Sequence, residues 1–227
     1  AGFAPTSYTL AAGVAVENLT ATSASGNVFL VGNALSNVIT GNAGNNILDA
    51  GSDTVADTLV GGAGNDIYRV YTTADVVTEN AGEGTDTIFT SVANSTIAAN
   101  VEVLSWHQQS DTTATTMTGS AGNDVLIGNF GANVFDCGTG ADTFNGLLGN
   151  DTYNVDNVGD VILDEAGNGT LDTVNFTTIT AYTLAAAAEI DLINLGSVTN
   201  ITGNDFAQTF VGDGDAETIN GGGGADL

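Results

Sequence analysis

The stretch Gly119–Leu163 consists of five consecutive nonapeptides: GSAGNDVLI, GNFGANVFD, CGTGADTFN, GLLGNDTYN and VDNVGDVIL. Glycine holds the fourth position of the first four units. An aspartate or asparagine holds the sixth position of all five, and an apolar residue holds the eighth. A nine-residue period fits neither a helix nor a hairpin, and it is typical of parallel β-helices.

The residue types of one unit predict its shape. Glycine tolerates the positive φ of a tight turn, so the first six residues are expected to turn. The last three are expected to form a short strand whose apolar residue, at position eight, faces inward. The side-chain oxygen at position six then points into the turn, where backbone carbonyls also converge. A site made only of oxygen atoms suits Ca²⁺ rather than a transition metal.

Two such units make one coil, so position-six residues that lie two units apart are predicted to stack. Asp124 is expected over Asp142 and Asp142 over Asp160, with Asn133 over Asp151 on the opposite side. Stacked carboxylates repel each other unless a cation lies between them. The spacing therefore predicts metal ions between successive coils.

These units resemble the GGxGxDxUx nonapeptides of the RTX (repeats-in-toxin) family. The resemblance covers most of residues 32–69, 119–163 and 203–227, about half of the chain. It implies an all-β fold, a right-handed parallel β-roll or β-solenoid, with several Ca²⁺ ions between its turns. The predicted metal-binding residues are Asp57, Asp66, Asp75, Asp124, Asp142, Asp151, Asp160, Asp215, Asp226, Asn133, Gly62, Gly64, Gly122, Gly140 and Gly149.

A longer repeat of about 87 residues contains the short one, because the segment that begins at Thr9 recurs at Thr96 and Thr183. Module one is predicted at residues 1–94 with its roll at about 32–78. Module two is predicted at 95–181 with its roll at about 119–163, and a partial module three at 182–227 with its roll from about 203. The segments between rolls are expected to be β-strands, without a helix. The incomplete nonapeptide at 221–227 predicts that the chain is part of a longer repetitive protein.

Some positions depart from the repeat. Asn37, Asn46 and Gln208 replace aspartate at position six, which weakens the prediction of metal sites there. The irregular unit at 50–60 is longer than a nonapeptide, and a bulge is expected that still delivers Asp57 and Leu59 to their places.

A glycine-rich turn with acidic residues follows each of the first two rolls. This turn is either solvated or part of a further metal site, and the sequence leaves both alternatives open. The acidic residues are Glu79, Glu83 and Asp86 after the first roll and Asp164, Glu165 and Asp172 after the second.

The charge excludes several classes of function. The chain has 27 acidic residues against one basic residue, Arg69, and its net charge is −26. Such a charge argues against ordinary nucleic-acid binding and against attraction to anionic membranes. No apolar run is long enough to span a membrane, so no membrane insertion is predicted. Hydrophobic residues make up 42% of the chain, which favours a chain that folds when it binds metal over permanent disorder.

The sequence does not predict an enzyme. It contains neither the HExxH motif of zinc proteases nor the GxSxG motif of lipases. His107 is the only histidine, and it is expected to be a surface or packing residue.

Two functions fit these observations. The first is a calcium-binding structural repeat region of a secreted bacterial surface protein, of S-layer, filament or adhesin type, that self-associates into a lattice or filament. The second is the folding and secretion module of an enzyme or toxin whose active domain lies outside this chain. The RTX resemblance implies type I secretion, and both functions place the chain outside the cell or on its surface. A cell-surface glycan is a further candidate partner.

Overall fold

The computed structural model describes residues 6–22, 26–164 and 169–227, and these residues form short β-strands and no helix. The chain divides into two compact units, residues 1–107 and residues 108–227. The strands of unit 1 are β1 (Thr6–Thr9), β2 (Asn18–Thr20), β3 (Val28–Val31), β4 (Val38–Thr40), β5 (Ile47–Asp49), β6 (Thr58–Val60), β7 (Ile67–Val70), β8 (Val76–Thr78), β9 (Thr87–Thr90), β10 (Asn94–Thr96) and β11 (Val103–Trp106). The strands of unit 2 are β12 (Thr115–Thr118), β13 (Val125–Ile127), β14 (Asn133–Asp136), β15 (Thr143–Asn145), β16 (Thr152–Val155), β17 (Val161–Ile162), β18 (Thr173–Phe176), β19 (Ala181–Thr183), β20 (Leu192–Asn194), β21 (Asn200–Thr202), β22 (Thr209–Val211) and β23 (Thr218–Asn220).

Each unit is a β-solenoid with parallel walls. In unit 1, one wall has the strand order β1-β3-β5-β7-β9-β11 and the other has the order β2-β4-β6-β8. In unit 2, the orders are β13-β15-β17, β12-β14-β16-β18-β20-β22 and β19-β21-β23. Within each of these sheets a strand pairs with the second strand after it along the chain. The predicted all-β fold of coiled parallel strands is confirmed, and the segments between the rolls are β-strands as expected. The 87-residue modules rest on a repeat in the sequence, whereas the two units are defined by contacts, so the module bounds stay a prediction.

Position eight faces inward, as predicted. In unit 2, Leu126 pairs with Phe144, and Phe135 pairs with Tyr153, so each residue meets its counterpart two nonapeptides further along the chain. This register confirms that two nonapeptides make one coil. In unit 1 the spacing is wider where Leu59 pairs with Ile39, so the extra residues at 50–60 leave the register of the strand intact.

Columns of apolar side chains form the interior of each unit. In unit 1, one column of paired and buried residues consists of Leu30, Leu48, Tyr68, Ile88 and Leu104. In unit 2, the rings of Phe135 and Tyr153 stack with their centroids 5.4 Å apart, and Phe144 meets both edge-on. Because a solenoid has no single central core, this contact between neighbouring coils is its main source of apolar burial.

Side-chain amides add a second kind of contact between coils of unit 2. The Asn175 side-chain nitrogen donates to Oδ1 of Asn154 at 3.0 Å, and the Asn194 side-chain nitrogen donates to Oδ1 of Asn175 at 2.7 Å. The three residues lie in register on β16, β18 and β20. An unbroken ladder of this kind satisfies amide groups across three coils without metal.

The turn glycines are needed where one coil stacks on the next. Gly149 has a φ of +124°, and a Cβ placed there would collide with the carbonyl oxygen of Gly131 in the preceding coil. Gly214 also has a positive φ, +103°, but a Cβ placed there would meet no atom within 4 Å. The first glycine is required by both backbone conformation and stacking, and the second by conformation alone.

We therefore expect Gly149→Ala to destabilise the protein more than Gly214→Ala. Both substitutions place an L-residue in the left-handed region, at about 1–2 kcal/mol each. Gly149→Ala adds an overpacking cost of about 1–3 kcal/mol against the Gly131 carbonyl. Guanidinium denaturation at saturating Ca²⁺ measures both free energies of unfolding. Equal losses for the two variants would show that the coils do not stack at Gly149.

Candidate metal centre

The position-six residues form hydrogen-bonded ladders along each solenoid. In each step, a side-chain Oδ1 accepts the backbone N–H of the position-six residue one coil earlier. Such steps run from Asn37 to Asp57 (2.7 Å), Asp57 to Asp75 (3.1 Å), Asn46 to Asp66 (2.6 Å), Asp124 to Asp142 (2.7 Å), Asp142 to Asp160 (3.0 Å) and Asn133 to Asp151 (2.7 Å). The predicted stacking of position six is confirmed.

The second oxygen of the carboxylate distinguishes three kinds of position-six residue. In the first kind, Oδ2 is buried and has no hydrogen-bond partner among the described residues. This group consists of Asp57, Asp66, Asp142 and Asp151. Burial raises the pKa of each of these carboxyls to about 6, although the hydrogen bond to Oδ1 acts in the opposite direction and lowers the pKa. A buried ionised oxygen without a partner is costly, so each of these four carboxyls needs a cation or a proton.

In the second kind, the turn itself satisfies the carboxylate. Oδ2 of Asp124 accepts the Ser120 N–H at 2.5 Å, and Oδ2 of Asp75 accepts the Tyr71 N–H at 3.0 Å. Asp160 belongs to the same group, because its Oδ2 accepts two N–H groups of its own turn. Backbone N–H groups that point at a carboxylate stabilise its charge, so these three predicted ligands have less need of a cation.

In the third kind, an amide replaces the carboxylate. The Asn133 side-chain nitrogen donates to the carbonyl oxygens of Asn129 (3.0 Å) and Gly131, and to Oδ1 of Asp151 (3.0 Å). Asn46 makes the same contacts in its turn, and the Gln208 nitrogen donates to the Phe206 carbonyl at 2.6 Å. The NH₂ group thus donates hydrogen bonds to carbonyl oxygens that would otherwise be available to coordinate a metal ion. Asn133 remains a predicted ligand, but its contacts favour a turn that is closed without metal.

Some of the remaining predicted residues lie in the stacked turns and ladders, and others do not. Gly62, Gly64 and Gly140 have positive φ, as Gly149 does, and they bring the turn carbonyls against the next coil. Gly122 is not left-handed and has room for a side chain. The structure brings Asp226 into a ladder, where its Oδ1 accepts the Gln208 N–H at 3.0 Å. Asp215 is exposed on its turn and lies outside the ladders.

The acidic residues after each roll are mostly buried, so these turns are not simply solvated. Glu79 and Asp86 are buried after the first roll, and their carboxylate oxygens lie within 4.8 Å of those of Asp66. Asp164 and Asp172 are buried after the second roll. Glu83 is half-buried and contacts Asn80 instead. Glu165 lies outside the described residues.

Asp86 and Asp172 continue the ladders beyond the nonapeptides. Oδ1 of Asp86 accepts the Asp66 N–H, and Oδ1 of Asp172 accepts the Asp151 N–H, both at 2.7 Å. The nonapeptide pattern does not predict this role for them. One sequence signal for this role exists, because each residue stands two positions before an inward apolar residue, as position six stands before position eight. The signal is weak, because the regular glycine pattern that marks the other turns is lost around it.

Among the acidic residues after the rolls, burial and like charge disfavour ionisation most strongly in Glu79 and Asp164. Burial, and then the charges of Asp86 and Asp66, raises the pKa of Glu79 to about 8. Burial, and then the charges of Asp172 and Asp151, raises the pKa of Asp164 to about 8. The fold therefore brings together carboxyls that have no positive partner among the described groups nearby.

Comparison with known families agrees with this geometry. Residues 31–68 and 118–153 match the RTX calcium-binding nonapeptide repeat, in four copies. The chain contains RTX calcium-binding repeats. The matched segments of the RTX solenoid include all four aspartates with an unpartnered Oδ2. Comparisons with curated proteins and with solved structures give no match.

The amide-closed turns lead to a prediction for Asn133→Asp. The substitution replaces the donating nitrogen by an oxygen that faces two carbonyls and Asp151. In chelator at pH 5, where the calcium-free chain is expected to hold most β-structure, the variant should lose about 1–3 kcal/mol of unfolding free energy, because a buried group is left unpaired. Calorimetric titration should show one additional Ca²⁺ per chain. Asn123→Asp is the matched control, because Asn123 is exposed and accepts the Ala141 N–H through an oxygen that aspartate retains. A variant that binds no additional ion would contradict the interpretation that the Asn133 amide takes the place of a bound cation.

The raised pKa values predict the pH dependence of the metal-free protein. Asp57, Asp66, Asp142 and Asp151 have a folded pKa of about 6 against an ordinary value of 3.8. As pH rises through this window, the unfolded chain releases protons that the folded chain keeps, so the free energy of unfolding falls. Glu79 and Asp164 extend the fall to about pH 8.

Circular dichroism in chelator should therefore show more β-structure at pH 5 than at pH 8. Calcium affinity should follow the opposite trend, because protons compete with the ion for the same oxygens. A metal-free chain that is equally folded at both pH values would contradict the burial of these carboxyls.

Proposed function

We propose that this chain is a calcium-dependent structural element of an extracellular protein. It is unfolded when Ca²⁺ is scarce, and it forms the β-solenoid when Ca²⁺ neutralises the stacked carboxylates. One observation carries this proposal: Oδ2 of Asp57, Asp66, Asp142 and Asp151 is buried in the RTX-matched segments and has no hydrogen-bond partner in the described part of the chain. Hard oxygen donors of this kind, beside turn carbonyls, are the ligands that Ca²⁺ takes in proteins.

The charge balance supports the same proposal. The chain has a net charge of −26, and its one cationic side chain, Arg69, is already paired with Asp49 at 3.3 Å. Surface ion pairs therefore do little to relieve the repulsion, whereas each Ca²⁺ removes two charges. Extracellular calcium modules bind Ca²⁺ with dissociation constants of about 10⁻⁴ to 10⁻³ M. Sites of this affinity are empty in the calcium-poor cytosol and occupied outside the cell. This difference favours export as an unfolded chain, of the type I kind, followed by folding outside.

The proposed role is structural rather than catalytic. His107 is exposed, and its ring meets those of Tyr71 and Phe89 edge-on at 6.3 Å, which is a packing arrangement. A cavity of about 430 Å³ in unit 1 has Asp75 as the one titratable residue of its lining. A single carboxyl provides no acid and base pair for turnover. Among the described residues, no helix has the length and apolar character to cross a membrane.

Within this role, self-association on a bacterial surface is our proposal for the working form, as in an S-layer or filament. Bound Ca²⁺ would support this association, because it would lower the net charge of −26 that otherwise keeps copies of the chain apart.

A calcium titration tests the proposal. Circular dichroism and the fluorescence of Trp106, which is buried in β11, should report one cooperative transition from coil to β-structure near millimolar Ca²⁺, reversed by chelator. Light scattering on the same samples should rise with the transition if the chain assembles. Flat scattering would favour the alternative function, a folding and secretion module of a larger protein. A chain that is fully β-structured in chelator at neutral pH would refute calcium-dependent folding.

A further inference from the structure

Three oxygen atoms converge on Gly61, at the start of the last complete nonapeptide of unit 1. A Cβ placed on Gly61 would collide with the Tyr68 hydroxyl and with Oδ2 of Asp66, and would lie 2.5 Å from Oε1 of Glu79. The Tyr68 hydroxyl donates a hydrogen bond to Oε1 of Glu79. Asp66 and Tyr68 belong to the repeat, whereas Glu79 comes from the turn after β8. The tertiary fold therefore brings a carboxylate from outside the repeats into the last repeat turn.

Two oxygens of this cluster have no partner. Glu79 is 7% exposed and Asp66 is 1% exposed, yet Oε2 of Glu79 and Oδ2 of Asp66 have no hydrogen-bond partner among the described residues. Asp86 is the third carboxylate, and the ligand oxygens of all three lie within 4.8 Å of one another. Three carboxylates at this separation, largely removed from water, require a positive charge between them.

A related arrangement occurs in unit 2. A Cβ placed on Gly146 would collide with Oδ2 of Asp151 and with the Tyr153 hydroxyl. Within the described part of the chain, Oδ2 of Asp151 and Oδ2 of Asp164 are buried without a hydrogen-bond partner. Asp164 follows β17 in unit 2, as Glu79 follows β8 in unit 1. The carboxylates of Asp151, Asp164 and Asp172 do not all lie within 4.8 Å of one another, so the arrangement in unit 2 is more open than that in unit 1.

We propose that Glu79 completes a calcium site with Asp66 and Asp86, and that Asp164 forms a second, more open site with Asp151 and Asp172. This inference rests on the calcium-binding function proposed above, and it adds ligands that lie outside the nonapeptides. The donors are all oxygen atoms, and the cluster carries three negative charges, which suits a hard divalent cation. Each site ties the turn that leaves a roll to the last coil of that roll, so the linking strands dock only when the ion is bound.

Calorimetric titration of the calcium-free full chain with Ca²⁺ tests this proposal. Glu79→Gln and Asp164→Asn keep the size of the side chain and remove its charge. Each single variant should bind one Ca²⁺ fewer than the wild type, and the double variant two fewer. The matched controls are Glu17→Gln in unit 1 and Asp136→Asn in unit 2, both at exposed positions, and these should bind as many ions as the wild type.

The outcomes separate this proposal from the broader one. A wild-type chain that binds no Ca²⁺ refutes the proposed function itself. A double variant that binds as many ions as the wild type, with unchanged affinity, overturns the inference while the repeat sites stand. In that case protons neutralise Glu79 and Asp164. Circular dichroism at saturating Ca²⁺ establishes that each variant is folded.

Terbium luminescence provides a test that does not depend on removing a carboxylate. Tb³⁺ bound in the unit 1 site would lie beside the Tyr68 ring and take excitation energy from it. Tyr68→Phe should therefore lower the tyrosine-excited Tb³⁺ emission, whereas Tyr8→Phe, at a position 57% exposed, should leave it unchanged. Equal emission from both variants would overturn the placement of an ion at this cluster.

Discussion

The structure depends on one constraint: carboxylates that are buried between coils have one oxygen satisfied by a backbone N–H and the other unsatisfied. The hydrogen bond from each position-six N–H to the next Oδ1 is the step that repeats along the ladders. It sets the position of one coil over the next and forces the carboxylate into the interior. The same bond leaves Oδ2 facing the turn, where a cation, a proton or an N–H group of the turn must stabilise it. In the function proposed above, folding and metal binding are therefore coupled.

The chain uses three solutions to this constraint, and each has its own consequence. Where Oδ2 has no partner among the described residues, as in Asp142, we expect stability to depend on calcium. Where the turn donates its N–H groups, as to Asp124, the carboxylate is held without an ion. Where an amide donates to the turn carbonyls, as in Asn133, the need for an ion is removed. A mixture of the three allows part of each solenoid to be packed by its own contacts while the remaining turns respond to calcium.

Much of the fold was predictable because a repeat leaves little freedom. A period of nine with inward position eight dictates short strands, and two units per coil dictate that a strand pairs two units further along, as at Phe135 and Tyr153. The acidic turn after the first roll was harder. Its sequence is compatible with a solvated loop, and only the coil that closes over it buries Glu79 beside Asp66. Asp86 was also missed as a ladder residue, because the glycine pattern that marks the other turns is lost around it.

The sequence by itself determined the period, the strand positions, the inward residues and the column in which each carboxylate stacks, because these follow from spacing along the chain. Only the tertiary structure decided which oxygens are left without a partner, because that depends on hydrogen bonds from other coils and on how each turn closes. Asp124 and Asp142 hold the same place in the repeat, yet Ser120 donates its N–H to Oδ2 of Asp124 and nothing described does so for Asp142. The meeting of Glu79 with Asp66 is likewise a property of the closed coil, since these two residues are 13 positions apart and share no motif.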